Sequence, residues 1–286
     1  MNLVKTVALL GILSALLVAV SYWLIGGTTG ATIGLLLAAI MNLGSWFFSD
    51  KIALAAYKAQ PVNQAEAPAL YEMVEKLCDR AGLPMPGVYI IPTASANAFA
   101  TGRDPHHAAV AVTEGIMRIL PEDELEGVIA HELSHIKNRD TFTQAVAATI
   151  AGGISWLTQI ASYSMWFGGG SRNENRANPV VILLTIILAP IAASIVQMAI
   201  SRTREFAADA GAGNLTGNPR ALAQALQRLD QNARQMPLNA NPAFAPLLII
   251  NGFSGRMMAN LFSTHPSTEA RIEKLLELEQ KLLGYS

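Results

Sequence analysis

What this chain has least of is charge. Only 14% of its 286 residues are Asp, Glu, Lys or Arg, where an ordinary soluble domain carries roughly 25%. A net charge of −1 leaves no basic surplus to neutralise phosphates, which argues against a nucleic-acid partner. Cysteine is nearly absent as well. The single Cys78 can form no internal disulfide, so a reducing compartment is allowed. It lies among Leu70, Met73, Val74 and Leu77 at helical spacing and reads as plain core.

The missing charge leaves long gaps. No charged residue occurs from Thr6 to Ser49, a length sufficient for two membrane spans, and GGTTG at Gly26 to Gly30 divides it as a tight turn would. Two further uncharged runs, Thr141 to Ser171 and Ala177 to Ser201, flank the polar loop SRNENRAN. Together they predict four transmembrane helices, at about 4–25, 29–49, 142–167 and 179–200. Gln144, Gln159 and several small polar residues leave a buried soluble helix open for the third. Pro190 predicts a kink in the fourth. The first run is too long for a cleaved signal peptide, and a second follows at once, so it reads as an anchor.

Orientation follows from the cations. The first hairpin loop has none and the second only Arg172 and Arg176, so the other 18 of 20 Lys and Arg share the side of both termini. The positive-inside rule makes that side cytoplasmic. The expected organisation is a transmembrane hairpin at 1–49, a second at 141–201, and a composite cytoplasmic domain from 50–140 and 202–286. Within 50–140 the pattern predicts a helix over 66–81, strands VYII at 88–91, HAAVAV at 107–112 and NAFAT at 97–101, then a helix after Pro121. Further helices are expected at about 201–213, 219–232 and 267–283. His106 and His107, in the turn-like RDPHH, read as solvated loop residues. The apolar FAPLLIINGF at 244–253 fits core, a lid or a membrane-touching segment equally well.

Against this oily background, GVIAHELSHIKNRD at Gly127 to Asp140 stands out. His131, Glu132 and His135 spell H-E-x-x-H on the predicted helix. Positions i and i+4 share a face, so both imidazoles can grip one metal ion, with Glu132 beside it as a base toward a water. A catalytic zinc site needs a third protein ligand. Metzincins use residues that correspond here to Asn138 and Thr141, so that class fails. Intramembrane proteases carry the motif inside an apolar span, whereas this one lies between PEDELEG and KNRD. The remaining class takes a Glu from a later helix, and SRTREFAAD offers Glu205 and Asp209 on one helix face. In that arrangement the first carboxylate binds zinc and the second accepts the free N–H of a ligand histidine, fixing its tautomer.

HELSH, SRTREFAAD, SANAFATG and FSTHPSTEARI together resemble the HtpX family of membrane zinc metalloproteases, distant relatives of the prenyl-protein (CAAX) proteases. The resemblance spans nearly the whole chain. It implies a mainly α integral membrane protein with four transmembrane helices and a cytoplasmic α+β zincin-like domain containing a small sheet. It further implies a gluzincin-type endopeptidase of the bacterial inner membrane, degrading misfolded or damaged membrane proteins in quality control under stress. A processing protease for specific membrane-associated substrates is the alternative. By carry-over, His131, His135 and Glu205 bind one Zn²⁺ per chain, Glu132 is the base and Asp209 orients a ligand. Asn97, Ala98, Phe99 and Ala100 match the substrate-binding edge strand, and His265 faces the substrate oxyanion. Partners are then protein substrates and the lipid bilayer; oligomeric state is not legible. A transporter is disfavoured because no span carries a charge near its middle, and a structural zinc site because only three ligands converge.

Overall fold

The apolar run after the glycine turn folds as one long helix, α1 (Gly27–Ala56). Gly26 and Gly27 supply the positive φ angles, 94° and 58°, that reverse the chain into it. In this computed structural model the described residues are 26–148, 202–236, 247–249 and 266–284, with positions 10, 11, 14, 15, 18, 19, 21 and 22 of the first segment. Those eight positions are helical. Asn42 donates to Ser14 Oγ at 2.9 Å, and Gly30 packs against the Ser21 carbonyl with no room for a Cβ. Both contacts suit an antiparallel hairpin.

α1 outruns the expected 29–49. Asp50 and Lys51 do not stop it, and its last turns bury Ala53 and Leu54 instead of ending at a membrane boundary. Among the described residues one helix is long and apolar enough to cross a membrane, with its window at Gly27–Gly44. Of the third expected span, residues 141–148 are helical and buried; its remainder and the whole of 179–200 lie outside the described residues.

The sheet is small and mixed, in the order β1-β2-β4-β3. β2 (Gly87–Ile91) pairs in parallel with β4 (Ala108–Thr113), with Val88 opposite Val110. β3 (Ala98–Gly102) pairs antiparallel with β4, and the two-residue β1 (Gln60–Pro61), which the sequence did not announce, pairs antiparallel with β2. Period-two alternation splits β3 and β4 between two cores. Ala98, Ala100, Val110 and Val112 face the main core, while Phe99, Ala109 and Ala111 face Ala53, Leu54 and Tyr57 at the end of α1.

Helices fill the main core. α2 (Pro68–Ala81) starts on proline, buries Leu70, Val74, Leu77, Cys78 and Ala81, and stops at Gly82 with φ 67°. It begins two residues later than expected because Asn63 O accepts from Glu66 and Ala67 in a separate turn. Burial of Cys78 pushes its thiol up to about 11, as suits an inert core residue. A short α3 (Glu114–Ile119), capped by Thr113, leads to α4 (Glu122–Lys137), the central helix. α5 (Arg202–Thr216), α6 (Pro219–Gln235) and α7 (Thr268–Leu282) fall close to the expected ranges. Glycines let them approach α4 closely. A Cβ on Gly127 would press on the Leu222 backbone of α6, and one on Gly211 would strike the Ser134 hydroxyl.

Candidate active site

α4 is buried from Glu124 to Ile136 except at Glu126, although four of those buried residues are ionisable. Glu122, Asp123 and Glu124 in its first turn complement the helix dipole, and Glu124 is neutralised by Arg228 at 2.8 Å. His131, Glu132 and His135 are 1%, 3% and 5% exposed. Ionisable groups stay in such a place only when they are paired or hold a metal.

The ligand atoms of His131, His135 and Glu205 all lie within 4.8 Å of one another. His131 Nε2 and His135 Nε2 are 3.1 Å apart, and Glu205 oxygens stand 3.8 Å and 3.5 Å from them. Donors at about 2.0–2.1 Å around a tetrahedral centre are separated by roughly 3.3–3.4 Å, so one small cation fits. The Nδ1 atoms agree. His131 Nδ1 faces Asp209 Oδ1 at 2.9 Å and His135 Nδ1 faces Asp140 Oδ2 at 3.2 Å. Each carboxylate accepts a hydrogen bond from Nδ1–H, which leaves the Nε2 lone pair directed at the shared point.

Charge points the same way. Among the described residues, Glu132, Asp140, Glu205 and Asp209 are buried beside the guanidiniums of Arg204 and Arg271. This concentration of carboxylates favours a cation at the shared point. Burial pushes the His131 imidazole down to about 4 despite Asp209, so it stays neutral and free to ligate. For His135, burial works against the charged form, but Asp140, Glu205 and Glu132 outweigh it and hold the imidazole above its ordinary value. A cation at that point would displace the proton. Burial pushes Glu132 up to about 7, near the range a base needs at neutral pH.

Asp140 and Arg271 were not singled out from sequence. Asp140 reaches His135 because Arg139, at φ 58°, closes α4 and Asp140 N donates back to the His135 carbonyl at 2.9 Å. That is a Schellman ending on a non-glycine residue, at a cost of about 1 kcal/mol. Arg271, 1% exposed, makes a bidentate pair with Asp209 at 2.8 Å and 2.6 Å and stands 3.9 Å from Glu205. Despite burial, Arg271 and His131 hold Asp209 below the usual carboxylate range.

The expected edge strand is β3, and three of its outward backbone groups have partners within the chain. Ala100 N donates to Glu132 Oε2 at 2.7 Å, Ala98 N to Asn97 Oδ1 at 3.0 Å, and Ala98 O accepts from Ile249 N at 3.2 Å. Phe99 points to the opposite face, its ring 5.2 Å from that of Tyr57. Asn97 thus binds backbone on both sides of the edge. At Ala98 the outer edge of β3 is covered by Ile249. His106 and His107 are exposed in a one-turn helix capped by Asp104, as expected. His265 lies outside the described residues.

An H-E-x-x-H helix, a glutamate from a second helix and a carboxylate behind each histidine define a metallopeptidase. The sequence pattern of Peptidase family M48 matches residues 64–279. A Protease HtpX homolog of Nostoc punctiforme is 70% identical over 282 residues, covering 98% of each chain. One of Pyrococcus furiosus is 51% identical, covering 98% of this chain and 96% of its own. The chain belongs to peptidase family M48, among the HtpX proteases, and is a membrane-associated metalloprotease. The crystal structure of S. mikatae Ste24p shares its fold, with a TM-score of 0.50, 20% identity, and coverage of 84% of this chain and 57% of that one. This chain therefore spans little more than half of that neighbour.

Proposed function

We propose that the protein is a zinc-dependent endopeptidase hydrolysing peptide bonds in unfolded segments of misfolded or damaged membrane proteins. The observation that carries this is the meeting of two imidazole Nε2 atoms and the Glu205 carboxylate, with both Nδ1 atoms fixed by carboxylates. Zinc is favoured by the tetrahedral spacing and the N₂O donor set. Bound there, it would supply Lewis acidity, bringing a water's pKa toward about 7 and polarising a peptide carbonyl.

In this reading Glu132 takes the proton from the attacking water as the new C–O bond forms, then returns it to the amide nitrogen as the C–N bond breaks. Asp209 and Asp140 hold His131 and His135 in the ligating tautomer. Asn97 to Ala100 bind the substrate backbone as an added strand, which selects extended chain. His265, carried over from the family resemblance, donates to the carbonyl oxygen as it gains charge.

The composite domain from 50–140 and 202–286 is assigned to the cytoplasmic side, with hairpins at 1–49 and 141–201 in a bacterial inner membrane. The run of cations on one side and the apolar window of α1 support this. The direct test is digestion of an unfolded protein by the detergent-solubilised full chain. Cleavage should stop with a chelator and return with added Zn²⁺; chelator-insensitive cleavage would overturn the assignment.

A further inference from the structure

The cavity bounded by His131, Glu132, His135 and Glu205 is also lined by Leu247, Leu248 and Ile249, together with Gln144. Its volume is about 10 Å³, room for one water at most. The ligand and base residues are at most 5% exposed beside Leu247, Leu248 and Ile249. These three are themselves 5%, 2% and 2% exposed.

Their backbone is held where a substrate's would be. Ile249 N donates to Ala98 O on the outer edge of β3 at 3.2 Å and to Asn97 Oδ1 at 3.1 Å. The Ile249 carbonyl accepts from Arg271 Nη1 at 3.1 Å, and Arg271 pairs with Asp209 behind His131. A peptide unit of the chain's own thus lies between the sheet edge and the ligand cluster. Leu247 and Leu248 pack with Phe99, Ala109 and Ala111 on the sheet face that α1 also covers.

We propose that Leu247–Ile249 is an internal substrate mimic, which blocks the site until an extended aliphatic segment displaces it. The inference rests on the peptidase reading above and deepens it in two ways. It makes latency a built-in property, because the mimic competes intramolecularly and only the displaced fraction binds substrate. It also names the substrate class, because whatever replaces Leu-Leu-Ile must satisfy the same edge groups and fill the same apolar space. Extended Leu-, Ile- and Val-rich stretches fit, and these are exposed when membrane or core segments unfold. A core segment with no such role would differ in one respect: loosening it would only lower activity.

The test uses the full chain in detergent, with metal content measured for every variant. Ile249→Pro removes the N–H that holds the segment to Ala98 and Asn97. It should raise kcat/KM on an unfolded reporter about five- to tenfold, through a lower KM, with metal content unchanged. Leu248→Ser, which weakens the apolar hold and keeps the backbone intact, should act in the same direction. A peptide of sequence APLLIIN should inhibit the wild type competitively, and mapped cleavage sites should cluster in aliphatic stretches. If the wild type cleaves in a chelator-sensitive manner, three results overturn the proposal while leaving the peptidase reading standing. These are metal-loaded variants that are no faster, a peptide that fails to compete, and sites spread without aliphatic preference. If no form of the protein cleaves, both fall together.

Discussion

α1 and α4 are both regular helices, yet they are inside out relative to each other. The Gly27–Gly44 window of α1 has mean hydropathy 1.4 and only 17% of it is buried, with Leu35, Leu36, Ile40 and Leu43 all at least 60% exposed. α4 carries two histidines and two glutamates in its interior and buries every one of them. In water each arrangement would be costly by itself. The first makes sense when the surrounding medium is lipid, the second when the helix holds an ion. The two meet through one sheet: α1 runs unbroken into Ala53 and Leu54 beneath it, and its β3 edge meets Glu132.

The largest expected effect comes from emptying the interior of α4. His135→Ala or Glu205→Gln should abolish metal retention after dialysis and peptidase activity together, read by metal analysis and reporter cleavage. If Glu205→Gln kept full occupancy, the third ligand would be another residue, with Asp209 the first to try.

The two carboxylates behind the histidines should separate from each other. Asp140→Ala and Asp209→Ala should each weaken metal affinity about 10–100-fold. Asp140→Ala removes a 3.5 Å ion pair from Arg204, whereas Asp209→Ala leaves the fully buried Arg271 without its bidentate partner, at a cost of about 3–5 kcal/mol in stability. Thermal melting of the metal-free forms should show Asp209→Ala well below Asp140→Ala, with Asp209→Ala/Arg271→Met recovering much of the loss. Equal melting points would mean that Arg271 is not anchored by Asp209.

The smallest effect on chemistry, and the sharpest for the comparison, concerns α1. Leu36→Asp places a charge on the exposed apolar face at a cost of about 2.5–3.5 kcal/mol if that face meets lipid at mid-membrane. Membrane-fraction yield should fall while material that does integrate keeps its specific activity. An unchanged yield would mean that this face does not contact the bilayer core.

Much of this was legible in the sequence. The end of α2 followed from Gly82, and β2 and β4 from runs of Val, Ile and Ala between polar stretches. His131, His135, Glu205 and Asp209 were found because spacing on a helix fixes which side chains share a face. What was missed depends on distance along the chain. Arg271 in TEARIEK has the look of any solvated helix cation, and only folding brings it to Asp209, 62 positions earlier. Asp140 was concealed by a helix ending that uses Arg139 where glycine is usual. The cover over β3 comes from residue 249, and no local pattern could pair it with Ala98. The two-residue β1 is too short to leave any periodic signal.

The central claim, that α4 presents a metal ion and a separate base to one peptide bond, is tested most directly by Glu132→Gln. Metal content and cleavage should be measured on the same preparation beside wild type. The account predicts full metal occupancy with activity lowered about 10²–10⁴-fold, because this side chain moves protons and is not a ligand. Metal-loaded Glu132→Gln that cleaved within a few-fold of wild type would contradict it.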